Sequence, residues 1–252
     1  MESRTIQETF ILPSKGLLYS ENFSPNITLR SMTTEEEMRR LSYSDSEYEK
    51  MAKIIDDCII EDLPISSYDM CIGDYQFLLH KLRIVSHGKD YNMVIQCPNC
   101  GEIVKATVDL DEEEVFEFDP DVGLDTNITL PISKKEIKLR LQTPRMIDAV
   151  KEKAQDMRKK TKFNIKYEYL FTIMSLIDKV DSKTVNEIAL EKFVRELPIQ
   201  DANYILAKGD ELNGKVGLDT SVIAKCSNCG FRVVTNFREQ PEFYGPQVDW
   251  RW

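Results

Sequence analysis

Histidine is nearly missing from this chain, with two residues in 252. The side chain that most often moves protons or opens a catalytic metal site is therefore scarce. His80 falls in YQFLLHKL and His87 in SHGKD, neither in an H-E-x-x-H arrangement. G-x-S-x-G and phosphate-loop motifs are also absent, so no enzymatic centre is expected. No apolar run approaches the ~20 residues of a membrane span. The opening MESRTIQETF has no signal-like apolar stretch, and the expectation is a soluble protein folded in a cytosol. Positive charge is in deficit: 33 Lys and Arg face 43 Asp and Glu, giving −10 and a pI near 4.9. That balance opposes non-specific binding to nucleic acid or anionic membrane. What is present suffices for folding, since 42% of residues are hydrophobic, enough for one large domain or two small ones.

Cysteine carries the strongest pattern. CPNCG at 97–101 returns as CSNCG at 226–230. Each lies between β-forming stretches, YNMVIQ and IVKATV in one case, SVIAK and FRVVTN in the other. A Cys-x-x-Cys-Gly turn between two strands aims both sulfurs at one point, and the glycine permits the positive φ that closes it. Zn²⁺ takes four ligands in a structural site, so the two turns together predict one closed centre of Cys97, Cys100, Cys226 and Cys229. The lesser alternative is reduced or oxidised cysteine pairs in a hairpin that once held metal. A thioredoxin-like redox pair would sit at a helix N-terminus, which these stretches do not offer. Cys58 and Cys71, in apolar helical stretches, read as core.

The regions before the two turns also correspond. NITLRSMTTEEEMRRL (26–41) and EIKLRLQTPRMIDAVKE (136–152) each run from I-x-L-R into a threonine and an amphipathic helix. Thr34-x-x-Glu37 has capping-box form, and Pro144 stands at a first helical position. EYEKMAKIIDDCII then answers YEYLFTIMSLIDKV, and residues 67–88 answer 184–212, a helical stretch split at Pro198. The predicted fold is α+β, with two pseudo-repeated halves. Each half has short strands, helices and a knuckle hairpin, and one four-cysteine zinc site joins them. The divisions are an N-terminal anchoring segment 1–25, a first half 26–108, an acidic linker 109–127, a second half 128–238 and an aromatic tail 239–252.

Residues 109–127 hold nine acids and no base, readable as a solvated edge strand or linker. Residues 151–166 hold seven bases and two acids, usually a solvated helix face. In the tail, FREQPEFYGPQVDWRW carries both tryptophans. Phe243, Tyr244, Trp250, Arg251 and Trp252 are candidates for a peptide anchor in a partner's groove. A tail folded back on its own domain is the equal alternative.

Leu12-Pro13-Ser14-Lys15-Gly16 and Thr33-Thr34-Glu35-Glu36, followed by a helical stretch and CPNCG, resemble the T-even-like bacteriophage baseplate protein family over about residues 8–240. The resemblance implies a non-enzymatic part in the central hub of a contractile-tail baseplate, as subunit or as assembly chaperone. Its partners would be other hub and tail proteins, with no nucleic acid, membrane or small-molecule substrate. It would be found in the host cytoplasm during assembly and, for a permanent subunit, in the virion tail. The alternative is a zinc-ribbon nucleic-acid module; its knuckles offer Lys105, Lys225 and Arg232 against Glu102.

Overall fold

The computed structural model describes residues 6–19, 23–161, 165–236, 243 and 245. The chain opens with an antiparallel pair, β1 (Gln7–Ile11) and β2 (Asn26–Arg30), in which Phe10 faces Ile27 and the Leu12 N–H closes the pair on the Pro25 carbonyl. Alternation buries Ile27 and Leu29 while their neighbours face outward. Helix α1 (Thr34–Leu41) follows, then α2 (Glu47–Cys58), a 3₁₀ turn at Ser67–Asp69 and α3 (Ile72–His87). Thr33, not Thr34, caps α1, and the reciprocal partner is Glu36, whose carboxylate accepts the Thr33 N–H at 2.6 Å. Thr33 keeps the extended backbone arriving from β2 (φ −99°, ψ 177°) and Thr34 is already helical, so the helix begins one residue earlier than the capping pattern predicts. Glu37 is taken instead by Arg40. After α2 the chain returns to β2, where Ile59 bridges Leu29. The hairpin of β3 (Asp90–Gln96) and β4 (Ile103–Asp109) carries the first knuckle.

The first part of the acidic segment, 109–117, is fastened by four ion pairs. Lys89 holds Asp109, Lys81 holds Asp111, His80 holds Glu113 and Lys15 holds Glu117. Within it lies β5 (Val115–Phe116).

Next come β6 (Asn127–Thr129) and β7 (Glu136–Leu139), in which Ile128 faces Ile137 and the Leu130 N–H closes on the Lys135 carbonyl. Then come α4 (Pro144–Lys160), capped by Thr143 with proline first, and α5 (Tyr167–Leu176). Strand β8 (Ile177–Val180) returns to β7, with Ile177 opposite Leu139. Helices α6 (Glu187–Glu196) and α7 (Ile199–Asn213) flank Pro198. A short β9 (Gly217–Leu218) pairs with β5, and β10 (Ser221–Lys225) with β11 (Arg232–Asn236) forms the second knuckle hairpin.

The fold is thus α+β, with small antiparallel sheets and seven α-helices among the described residues. Three apolar clusters hold it. The first gathers β1, β2, α2 and α3, the second β7 and α4 to α7, and the third the inner faces of the two knuckle hairpins. The first two clusters abut directly. Asp148 of α4 is buried against α2, accepting the Glu49 N–H at 3.0 Å and the Tyr68 hydroxyl at 3.2 Å. Arg145 grips Asp69 with two bonds, and the Ile72 N–H donates to the Gln142 carbonyl. At the start of α3, a Cβ on Gly73 would lie 1.9 Å from the Val216 carbonyl oxygen. Two backbones therefore touch where a side chain would hold them apart.

Candidate metal centre

The two knuckles are built alike, atom for atom in the backbone. In the first, the Cys97 N–H donates to the Glu102 carbonyl (2.8 Å) and the Gly101 N–H donates to the Cys97 carbonyl (2.9 Å). In the second, Cys226 donates to Phe231 and Gly230 to Cys226, both at 2.9 Å. Gly101 and Gly230 have φ of 76° and 72°, the left-handed backbone that lets each turn end in two residues. Strand β4 packs against β10, which brings the turns tip to tip.

The four sulfurs converge. Cys97 Sγ is 3.7 Å from Cys229 Sγ, Cys100 Sγ is 3.6 Å from Cys226 Sγ, and all four lie within 4.8 Å of one another. A tetrahedron with Zn–S bonds of about 2.3 Å has edges of about 3.8 Å, so the shortest separations match a metal edge. They are far beyond the ~2.05 Å of a disulfide, and all six cysteines are free thiols. Among the described residues no other group of three or more His, Cys, Asp or Glu side chains converges in this way. Each hairpin places its first cysteine inside, with Cys97 and Cys226 buried, and its second, Cys100 and Cys229, at the surface.

The asparagines between the cysteines cross over. Asn228 Nδ2 donates to Cys100 Sγ at 3.7 Å, and the Asn99 side chain donates to Cys229 Sγ. The Asn99 bond, helped by the Phe231 N–H, pulls the Cys229 thiol down to about 6. At Cys100 the Glu102 N–H favours the thiolate, but sulfur neighbours led by Cys229 outweigh it and raise the thiol to about 11. Four thiolates at this spacing repel, so a cation is what lets all four ionise together. The all-sulfur donor set and the tetrahedral edge suit zinc, and a four-thiolate shell would leave no open position for substrate. The sequence pattern missed the two asparagines, although the repeated N-C-G was there to read.

Of the tail residues, Phe243 lies in the chain's own first core. Its ring packs 4.6 Å from His80 and 5.1 Å from Tyr91, and its carbonyl accepts from Arg83 Nε at 3.2 Å. Tyr244, Trp250, Arg251 and Trp252 lie outside the described residues. Two further side chains escaped sequence reasoning. Asp74, third residue of α3, accepts the Ser14 N–H, and Asp201, third residue of α7, accepts the Ile132 and Ser133 N–H groups. Both are buried and both hold a turn that follows a Leu-Pro pair. The signal was Ile-Gly-Asp against Ile-Gln-Asp at two helix starts. A groove of about 480 Å³ lies between Arg40, Tyr48, Met51, Tyr75 and Lys151 and brings no nucleophile–base pair together. No described helix is long and apolar enough to cross a membrane.

Compared with known proteins, residues 4–245 match the family described as T4 bacteriophage base plate protein. No curated protein matches the chain, and no solved structure matches it.

Proposed function

This chain belongs to the T4 bacteriophage base plate protein family, and we propose that it works in the baseplate hub as a non-enzymatic part acting through protein contacts, stiffened by one structural zinc. The family membership supports a structural baseplate role. The observation that carries the finer reading is the meeting of two remote cysteine pairs with sulfurs 3.6 and 3.7 Å apart across hairpins. Zinc held by Cys97, Cys100, Cys226 and Cys229 would contribute folding free energy on the order of 10 kcal/mol. It would supply rigidity, not Lewis acidity.

We further read the chain as tandem halves, 26–108 and 128–238, each led in by its own first strand and divided by the acidic segment. Matching contacts support this. Arg30 donates to the Asp57 carbonyl as Arg140 does to that of Ser175, in each case just before the strand that returns from the helix. The Met32 N–H meets Ser86 Oγ as the Gln142 N–H meets Asn213 Oδ1, each at the far end of the long helix.

The test is to purify infected-cell assembly intermediates and finished virions, and to measure polypeptide content and metal by native mass spectrometry. One zinc per chain in hub complexes is expected. Presence in virions identifies a permanent subunit, and presence in intermediates alone identifies an assembly chaperone. Absence from both would overturn the hub reading. A nucleic-acid role would need a cationic face, and no observation favours one in a chain of net charge −10.

A further inference from the structure

We propose that the outward face of the second knuckle hairpin, β10–β11, is the docking surface for an acid-flanked apolar segment of another baseplate protein. This rests on the hub reading above. Alternation turns Val222, Ala224 and Val233 inward and leaves Ile223 and Val234 directly opposite one another on the outer face. They are 54% and 62% exposed, and Phe231, between the knuckle turn and Arg232, is 44% exposed. Lys225 and Arg232 face each other next to this group, and residues 221–236 contain no carboxylate.

The first hairpin is a built-in control. Counted from the cysteines, Glu102 occupies the place of Phe231 and Lys105 the place of Val234. The outer face of the first hairpin also exposes Val94 at the place of Ile223 and Ile103 at the place of Arg232. The hairpins therefore differ at the Phe231 and Val234 places, where the same knuckle forms with charged residues, and in the Lys225–Arg232 pair, where the first has Gln96 and Ile103. Neither the turn nor the metal needs Phe231 or Val234, and strand propensity is served elsewhere on the outer face by Thr107. An exposed aromatic and two aliphatics on a rigid ribbon are costly to leave wet and match the anchors of protein interfaces. Two facing cations on a hairpin whose residues 221–236 hold no carboxylate, in a protein of net charge −10, select a partner whose apolar segment carries Asp or Glu at its edge.

The experiment replaces Phe231 with the photo-crosslinker p-benzoylphenylalanine in the full chain during phage infection. A second chain carries the crosslinker at Glu102, the equivalent place on the other hairpin. Metal content is measured in every variant. Expected is an adduct from position 231 to another baseplate polypeptide, mapped by mass spectrometry to apolar residues within a few positions of Asp or Glu. Its yield should exceed that from position 102 at least about tenfold, and fall about tenfold with Val234→Ser or Lys225→Glu. Equal yields from the two positions, adducts only to a second copy of this chain, or no adduct from a chain present in the baseplate would each overturn the proposal. A chain absent from baseplates and their intermediates would remove the hub reading, and this inference with it.

Discussion

If zinc fastens the four cysteines, removing it should melt the two knuckle tips while both helical cores stand. The third apolar cluster contains, besides its cysteines, only Val104, Ala224 and Val233 as fully buried residues. At about 1.5–3 kcal/mol for a buried valine, and less for alanine, burial there contributes about 4–6 kcal/mol as an upper figure. A zinc ion held there would contribute on the order of 10 kcal/mol, and a two-stranded ribbon alone is marginal in water. Hydrogen exchange by mass spectrometry, with and without a chelator, reads this directly. Protection in residues 94–106 and 222–234 should fall by three orders of magnitude or more. In α2, α3, α5 and α7 it should change less than about tenfold. The base of the first hairpin should hold, because Arg83 donates to the Asp90 carbonyl and Tyr91 packs on Phe243. Tips that keep their protection without metal would refute the zinc fastener. Exchange of the whole chain in one step would refute the claim that α4 on α2, and Gly73 on Val216, hold the halves together independently.

The paired aspartates should respond oppositely to amide substitution. Asp201→Asn leaves one of two backbone N–H groups facing a donor and should cost about 1–3 kcal/mol in urea unfolding. Asp74→Asn should stay within about 1 kcal/mol of the parent, since burial raises the Asp74 carboxyl and an amide can donate to the Tyr19 oxygen. Glu36 is held down to about 2, first by Arg30 and then, against the pull of burial, by Thr33. Its folded value lies below its free value, so its contribution is whole above about pH 4.5 and is lost as pH falls toward about 2. Glu36→Gln should flatten the stability profile in that window, measured by urea midpoints at several pH values. Gly73→Ala drives a methyl into the Val216 carbonyl, backbone against backbone, and should destabilise by about 3 kcal/mol or more, read as a lowered Tm.

Local rules made some features legible and long-range pairing hid the others. The knuckles, the Thr143–Pro144 helix start and the break at Pro198 each depend on a few adjacent residues, and each stands where the pattern puts it. The α1 cap shifted by one because two adjacent threonines qualify locally. The choice is made by Ser86, far along the chain, which holds Met32 in the extended run. The acidic segment is largely exposed, as its composition suggests, but its ion pairs were hidden because Lys15, His80, Lys81 and Lys89 are spread over α3 and two turns. Phe243 looks like a free aromatic for the same reason. The pocket that takes it is assembled from α3 and β3.

The strongest support for tandem halves comes from contacts whose geometry persists while their chemistry differs. Hairpins and returning strands recur by general packing rules, and alone they argue little. A side-chain acceptor on the N–H just before a helix cap is a narrower event, and it occurs twice. Serine supplies it from the end of α3 to Met32, and asparagine supplies it from the end of α7 to Gln142. The aspartates repeat the pattern: the helix position and the Leu-Pro turn are shared, but Asp74 spends one oxygen on Tyr19 where Asp201 spends it on a second backbone N–H. Independent packing solutions would have no reason to choose the same places with different atoms. Drift from one ancestral unit does so naturally, because the backbone N–H keeps demanding an acceptor while any residue able to supply one is tolerated. On that reading the metal centre lies where the two units face each other. Its crossed sulfur pairs and crossed asparagines are then the reciprocal contacts that a two-fold relation generates. The outer hairpin faces are free of that reciprocity, and there Lys105 stands in the first hairpin where Val234 stands in the second.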